Sequence, residues 1–286
     1  GDTRGPRRQV YASTLMLVKR GRYHTASGGL VELGRIINPQ AQADNVFVDR
    51  EITLRPSLER NSGEVRIAVV NDDCLALARR LHATDPTDDI CVLNMASSRN
   101  PGGGVWGGAG AQEEYLFRCT DYYRFLYQYA NHFDPQAYHV QRNAHHRYPL
   151  DPLYGGVYSH GVTVFRDTEA NGYALLDSPV RLNFVAVAAF HFNERCDAIP
   201  QPYVEPTKDK IRLMLRLAAN NGQRRLVLGA FGCGAFHNEP HHMAQLFRQV
   251  INESEFQGLF TSISFAVIED HNSTNNYTAF RDVLEG

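Results

Sequence analysis

The run Ile90-Cys91-Val92-Leu93-Asn94-Met95-Ala96-Ser97-Ser98-Arg99-Asn100-Pro101-Gly102-Gly103-Gly104 decides how this chain is read. Its first four residues are apolar and partly β-branched, the signature of a short buried strand. The strand feeds directly into a glycine-rich loop, and ligands bind at such strand ends in open α/β sheets. Three consecutive glycines weaken a loop, because glycine loses the most backbone freedom on folding. They also let main-chain N–H groups approach a ligand and form a concavity for an anion. After residues 105–111 comes Gln112-Glu113-Glu114, which opens a segment of helical periodicity running to about Ala130. Acidic residues suit a first helical turn through the macrodipole, so charge compensation alone explains them in isolation. Beside a phosphate cradle they gain a chemical reading. Neighbouring helix positions diverge by about 100°, so the two carboxylates are expected to face different atoms. One would reach a scissile bond and the other sugar hydroxyls. Burial and a like charge would raise the acid's pKa, as a general acid in glycoside cleavage requires.

A second loop, Gly229-Ala230-Phe231-Gly232-Cys233-Gly234-Ala235-Phe236-His237-Asn238, follows the strand Leu226–Leu228 and precedes a helix at Pro240–Asn252. It is no dinucleotide fingerprint, because His stands where the third glycine would be, and no GK[ST] pair makes a P-loop. What it offers is a flexible strand-to-helix turn, with a helix N-terminus available to an anion. Two such loops, each after a buried strand, would close on one pyrophosphate.

Outward from these loops, strands alternate with helices. Helical spacing in Tyr11–Lys19 stops at Gly21, and strands are read at Val46–Val48 and Val65–Val70. Asn71-Asp72-Asp73 would cap a helix through Leu81. Residues 131–159 read as an irregular loop, functional, mobile or inserted. Val162–Phe165 and Tyr173–Leu176 flank Asn171-Gly172 as a hairpin, and Leu182–Phe190 reads as a separate buried strand. A helix at Thr207–Asn220, a last strand at Ile263–Ile268 and a closing helix at Tyr277–Leu284 complete the pattern. Continuous apolar strands between helices predict an α/β sandwich with a mixed or mostly parallel sheet. One globular unit is expected, with residues 1–45 as an N-terminal helical accessory segment and 46–286 as the catalytic domain.

Composition narrows the function. Twenty-nine basic against 31 acidic residues leave a net charge of −2, which disfavours binding through nucleic-acid phosphates. The longest apolar run, around Phe184–Phe192, is about half a membrane span. Five scattered cysteines without a CxxC pair fit a reducing compartment, cytoplasmic or nuclear rather than secreted. His132, His139, His145 and His146 cluster in the long loop without carboxylate or cysteine partners at ligand spacing, so no metal is expected.

The glycine triplet followed by Gln112-Glu113-Glu114 resembles the signature of poly(ADP-ribose) glycohydrolases, and the surrounding text resembles their microbial branch, built on a macrodomain. The resemblance extends through Arg20-Gly21-Arg22-Tyr23, Val69-Val70-Asn71-Asp72-Asp73, Tyr158-Ser159-His160-Gly161 and the Leu228–Phe236 loop. It implies a macrodomain-like three-layer fold and hydrolysis of ribose–ribose bonds in poly(ADP-ribose), releasing ADP-ribose without a cofactor. Glu114 falls on the catalytic position, Glu113 on the one that holds ribose hydroxyls, and Gln112 beside them. Gly102, Gly103, Gly104, Gly232, Cys233, Gly234, Ala235 and Phe236 fall on the diphosphate cradle, with Phe236 against the distal ribose. Asn94 and Asn100 match asparagines lining the sugar. Asn276 and Phe280 are expected near adenine, although Phe280 reads equally well as a core residue. The partners implied are poly(ADP-ribose), ADP-ribosylated proteins and the ADP-ribose product, with neither nucleic acid nor membrane. A reader that binds terminal ADP-ribose without cleaving it, or a hydrolase of mono-ADP-ribosyl bonds, would use the same glycines. The near-neutral charge favours recognition of one or two units in a cleft, hence exo-type release.

Overall fold

A computed structural model describes residues 2–269 and 275–286. Seven strands form one mixed sheet: β1 (Asn45–Val48), β2 (Arg66–Val70), β3 (Ile90–Met95), β4 (Gly156–Arg166), β5 (Leu175–Val187), β6 (Arg225–Leu228) and β7 (Ser262–Ala266). Their order is β1-β4-β5-β3-β6-β7-β2. Among the described residues, six helices of eight residues or more accompany them: α1 (Arg4–Arg20), α2 (Cys74–Thr84), α3 (Gln112–Cys119), α4 (Val204–Asn220), α5 (Pro240–Ile251) and α6 (Asn276–Leu284). This is the macrodomain-like α/β architecture expected from the alternation. Among the described residues no helix is long and apolar enough to cross a membrane. The chain divides into two compact units, one of Gly1–Phe47, Ala96–Leu150 and Ser159–Phe184, the other of Val48–Met95, Asp151–Tyr158 and Val185–Gly286.

In the first unit, α1 exceeds its predicted span by starting at Arg4, and it ends where Gly21 adopts φ 77° and returns its N–H to Leu17. Tyr11, Thr14, Leu17 and Val18 are its buried stripe. The helix expected to run from Ala111 to Ala130 is broken at Thr120. That residue forms an isolated antiparallel bridge with Val164, and the buried carboxylate of Asp121 accepts from Thr163 N–H at 2.8 Å. Pairing with β4 therefore displaces helical bonding here, and a short helical turn at Tyr123–Leu126 continued by a 3-10 turn at Tyr127–Tyr129 follows. The 131–159 segment is also more ordered than predicted. Pro135–Tyr138 makes one helical turn, His146 stacks on Phe47 with ring centroids 4.7 Å apart, and β4 already begins at Gly156. The Asn171-Gly172 turn lies between β4 and β5 as predicted. Beyond it, Leu175–Val187 is one continuous strand in place of the two that the sequence suggests.

In the second unit, β3, β6, β7 and β2 are parallel, with Cys91 opposite Leu226, Leu226 opposite Ile263 and Val69 opposite Phe265. The inner strands β3, β6 and β7 are buried on both faces, which is why they read as apolar runs, while β2 lies at the sheet edge and is only partly covered. Asp73 caps α2 by accepting from Ala76 N–H at 2.9 Å, as its sequence predicts. The core joins Leu213, Leu217, Phe247, Phe265 and Phe280, each burial being worth roughly 1.5–3 kcal/mol.

Candidate active site

In the first unit, the loop after β3 folds back on the start of α3. The N–H of Gly103 donates to Asn100 O at 2.9 Å and that of Val105 to Gly102 O at 3.2 Å. Gly102 and Gly103 both have positive φ, 79° and 55°, where side chains are strained. Space forbids a side chain as well. A Cβ on Gly102 would stand 2.7 Å from the Phe117 ring, and one on Gly103 would stand 2.5 Å from Glu114 Oε2 and 3.5 Å from Glu113 Oε1. Both carboxylates therefore approach the same backbone point. The expected divergence of neighbouring helix positions does not separate them, because glutamate side chains are long and the residue they flank has none.

Glu113 is 1% exposed, and its Oε1 accepts from the N–H of Ser97 at 2.8 Å. Glu114 is 7% exposed and accepts from Ala111 N–H at 3.3 Å, reaching back over the helix start. Burial pushes the Glu114 carboxyl above the usual glutamate range, against hydrogen bonds from the Ala111 and Glu114 amides and the cations Arg118 and Arg7. Arg118 is itself fully buried, donating to Ala109 O at 2.7 Å and to the Tyr173 hydroxyl at 2.9 Å. Gln112 is half-buried at the helix start, and Asn100 is exposed.

The loop between the glycines and α3 leans on α1. A Cβ on Gly108 would collide with the Arg4 carbonyl, and one on Gly110 with the Arg7 guanidinium. Arg7 is held by Glu169 at 3.0 Å. Sequence reasoning missed Arg4, Arg7, Phe117 and Arg118, since nothing in their spacing marks them. Ser97 lay inside the quoted motif and went unassigned.

The second unit holds Asn94, fully buried near the end of β3, and the second glycine loop. Gly232 has φ 71°, and a Cβ there would meet Asn238 Nδ2 at 2.5 Å and the Ala189 methyl at 2.7 Å. Buried Asn238 ties the turn, donating from Nδ2 to Phe190 O at 2.8 Å and to Gly232 O at 3.0 Å. Arg195 donates to the carbonyls of Cys233 and Gly234, both at 3.4 Å. Among the described residues, the N–H groups of Gly234, Ala235 and Phe236 make no hydrogen bond within the protein. Cys233 is buried, and that burial pushes its thiol pKa up, so its contribution to any ligand is main-chain. The α5 N-terminus, expected to be open to an anion, is occupied by Glu239, whose carboxylate accepts from His242 N–H at 2.6 Å. Asn276 is buried at the start of α6. Phe280, expected at the base, is fully enclosed, its ring 5.7 Å from Phe265 and 6.3 Å from Phe247, and it presents no face to a ligand.

With this geometry in place, comparison with known proteins gives a consistent result. Residues 12–167 match the family described as microbial-type PARG, catalytic domain. Among solved structures, the poly(ADP-ribose) glycohydrolase of Thermomonospora curvata is 31% identical, covering 98% of this chain and 100% of its own, with a TM-score of 0.78. The same enzyme bound to the inhibitor ADP-HPD aligns with a TM-score of 0.76. A mutant poly(ADP-ribose) glycohydrolase of Deinococcus radiodurans in complex with ADP-ribose is 35% identical over 79% of this chain and 86% of its own, with a TM-score of 0.62. No curated protein matches. The glycine triplet, the paired glutamates packed beneath it, the sheet and these likenesses agree, and the chain belongs to the microbial-type poly(ADP-ribose) glycohydrolase family.

Proposed function

We propose that the protein hydrolyses the ribose–ribose O-glycosidic bonds of poly(ADP-ribose), releasing ADP-ribose from chain ends, with Glu114 as general acid and then base. The observation that carries this reading is a buried carboxyl of raised pKa pressed against a backbone point, Gly103, that a side chain cannot occupy. A carboxyl that keeps its proton nearer neutrality can deliver it to the departing 2′-oxygen as the C1″–O2′ bond breaks. The oxocarbenium-like sugar left behind is attacked by water, whose proton returns to Glu114 while its oxygen bonds to C1″. Glu113, oriented by Ser97 N–H, accepts hydroxyls of the same ribose. Gly102–Gly104 admit the sugar and phosphate close to the main chain. In the second unit, the amides of Gly234, Ala235 and Phe236 donate to a phosphate, and Phe236 packs on ribose.

Incubation with automodified polymer tests this reading. Wild-type protein should release ADP-ribose, and Glu114→Gln should bind ADP-ribose while releasing none. Binding without release by the wild type would instead identify a reader. For the exo mode, long polymer should yield monomer from the outset, and early large oligomers would contradict it.

A further inference from the structure

The chain has one tryptophan, Trp106, and it sits on the one-turn 3-10 helix Val105–Gly107 directly after the glycine triplet. It is 52% exposed. Single exposed apolar residues are ordinary, so exposure alone means little. What sets Trp106 apart is that it is exposed and clamped. Tyr11 and Tyr138, both buried, meet its ring edge-on at centroid distances of 5.1 and 5.5 Å. The Tyr138 hydroxyl is itself held in place, accepting from Tyr11 at 2.9 Å. Below the indole, Gly107 N–H donates to Gly104 O at 3.0 Å and Gly108 N–H to Val105 O at 3.1 Å. With Cα atoms about 3.8 Å apart along a chain, Trp106 lies at most about 11 Å from Gly103, the point that Glu114 touches.

Resting on the glycohydrolase reading, we propose that Trp106 is a stacking platform for the leaving side of the polymer, taking the adenine of the unit that departs. The oxygen protonated by Glu114 is on C2′ of that unit's adenosine, and its adenine hangs from the adjacent carbon of the same ring. The base therefore leaves the reaction centre within one nucleoside of it. A half-exposed indole held rigidly at that range meets a purine at little cost in ordering, and stacking of a base on an aromatic side chain is sequence-tolerant. ADP-ribose itself, having no such leaving unit, would not use this platform.

A lone tryptophan makes the test direct. In Glu114→Gln protein, the two-unit oligomer should quench Trp106 emission strongly and ADP-ribose weakly. In the active enzyme, Trp106→Ala should raise KM for polymer about tenfold, within the roughly 5- to 150-fold that loss of one stacked base implies. Trp106→Phe should restore most of it. The loss in kcat/KM should be several-fold smaller on ADP-ribose carrying a small alcohol at C1″. Equal quenching by the oligomer and ADP-ribose, or equal losses on the two substrates, would overturn the platform. Differential quenching without any wild-type turnover would sink the hydrolase reading and leave the platform standing, whereas turnover without differential quenching does the reverse.

Discussion

The two glycine loops look alike in sequence and are built for different work. In the first, glycine is required by what lies beneath it: side chains of Glu114 and Phe117 fill the space where Cβ atoms would go. In the second, Gly232 is required by Asn238 and Ala189, yet Gly234 is exposed and a Cβ on it would meet nothing within 4 Å. The first loop rests its main chain on two buried carboxylates; the second has three amides unbonded within the protein and ties its carbonyls to Arg195 and Asn238. A glycine can thus be kept by neighbours already present or by a ligand still to come, and only coordinates tell which.

That distinction can be broken by substitution. Glu114→Gln should give the largest effect, a fall in polymer turnover on the order of 10³-fold with ADP-ribose affinity kept, measured by product release and calorimetry. Gly103→Ala should follow, displacing the Glu114 carboxyl and cutting kcat roughly 100-fold while costing about 1–3 kcal/mol of stability by denaturant unfolding. Gly232→Ala should lose about the same stability but leave kcat closer to wild type, because no carboxylate rests on it.

The raised pKa of Glu114 supplies a smaller effect whose sign is fixed. A carboxyl that binds its proton more tightly when folded stabilises the fold below the unfolded value of 4.5 and loses that contribution as pH rises through the folded value. Glu114→Gln should therefore raise Tm at neutral pH, and the advantage should vanish in melts below pH 4.5. The least effect on stability is expected from Gly234→Ala, within about 0.5 kcal/mol, with a measurable weakening of ADP-ribose binding. Lost stability there with unchanged binding would erase the contrast between the loops.

Much of this was legible in the sequence because local rules and tertiary packing agreed. Asp73 capped its helix, Gly21 ended another, and the apolar runs of β3, β6 and β7 were parallel strands. The failures share a cause. Thr120 left its helix for a bridge to Val164 and Glu239 filled its own helix N-terminus, each decided by a partner distant in sequence or by a side chain's reach, while of the two readings open for Phe280 the core one holds. Glu113 and Glu114 converged for the second of these reasons. The motif marked the family, while nothing in the sequence marked Phe117, Arg118 or the first turn of α1 as lying against it.

Arg4 and Arg7 have one more consequence. The family match begins at residue 12, after both of them, although their carbonyl and guanidinium fix the shape of the Gly108–Gly110 stretch. A chain trimmed before residue 12 would keep both glycine loops and Gln112-Glu113-Glu114 and lose the buttress behind them. Tags, clips or partners that pry up the first helical turn would thus disturb the loop that leads into Glu113 and Glu114 without touching either of them.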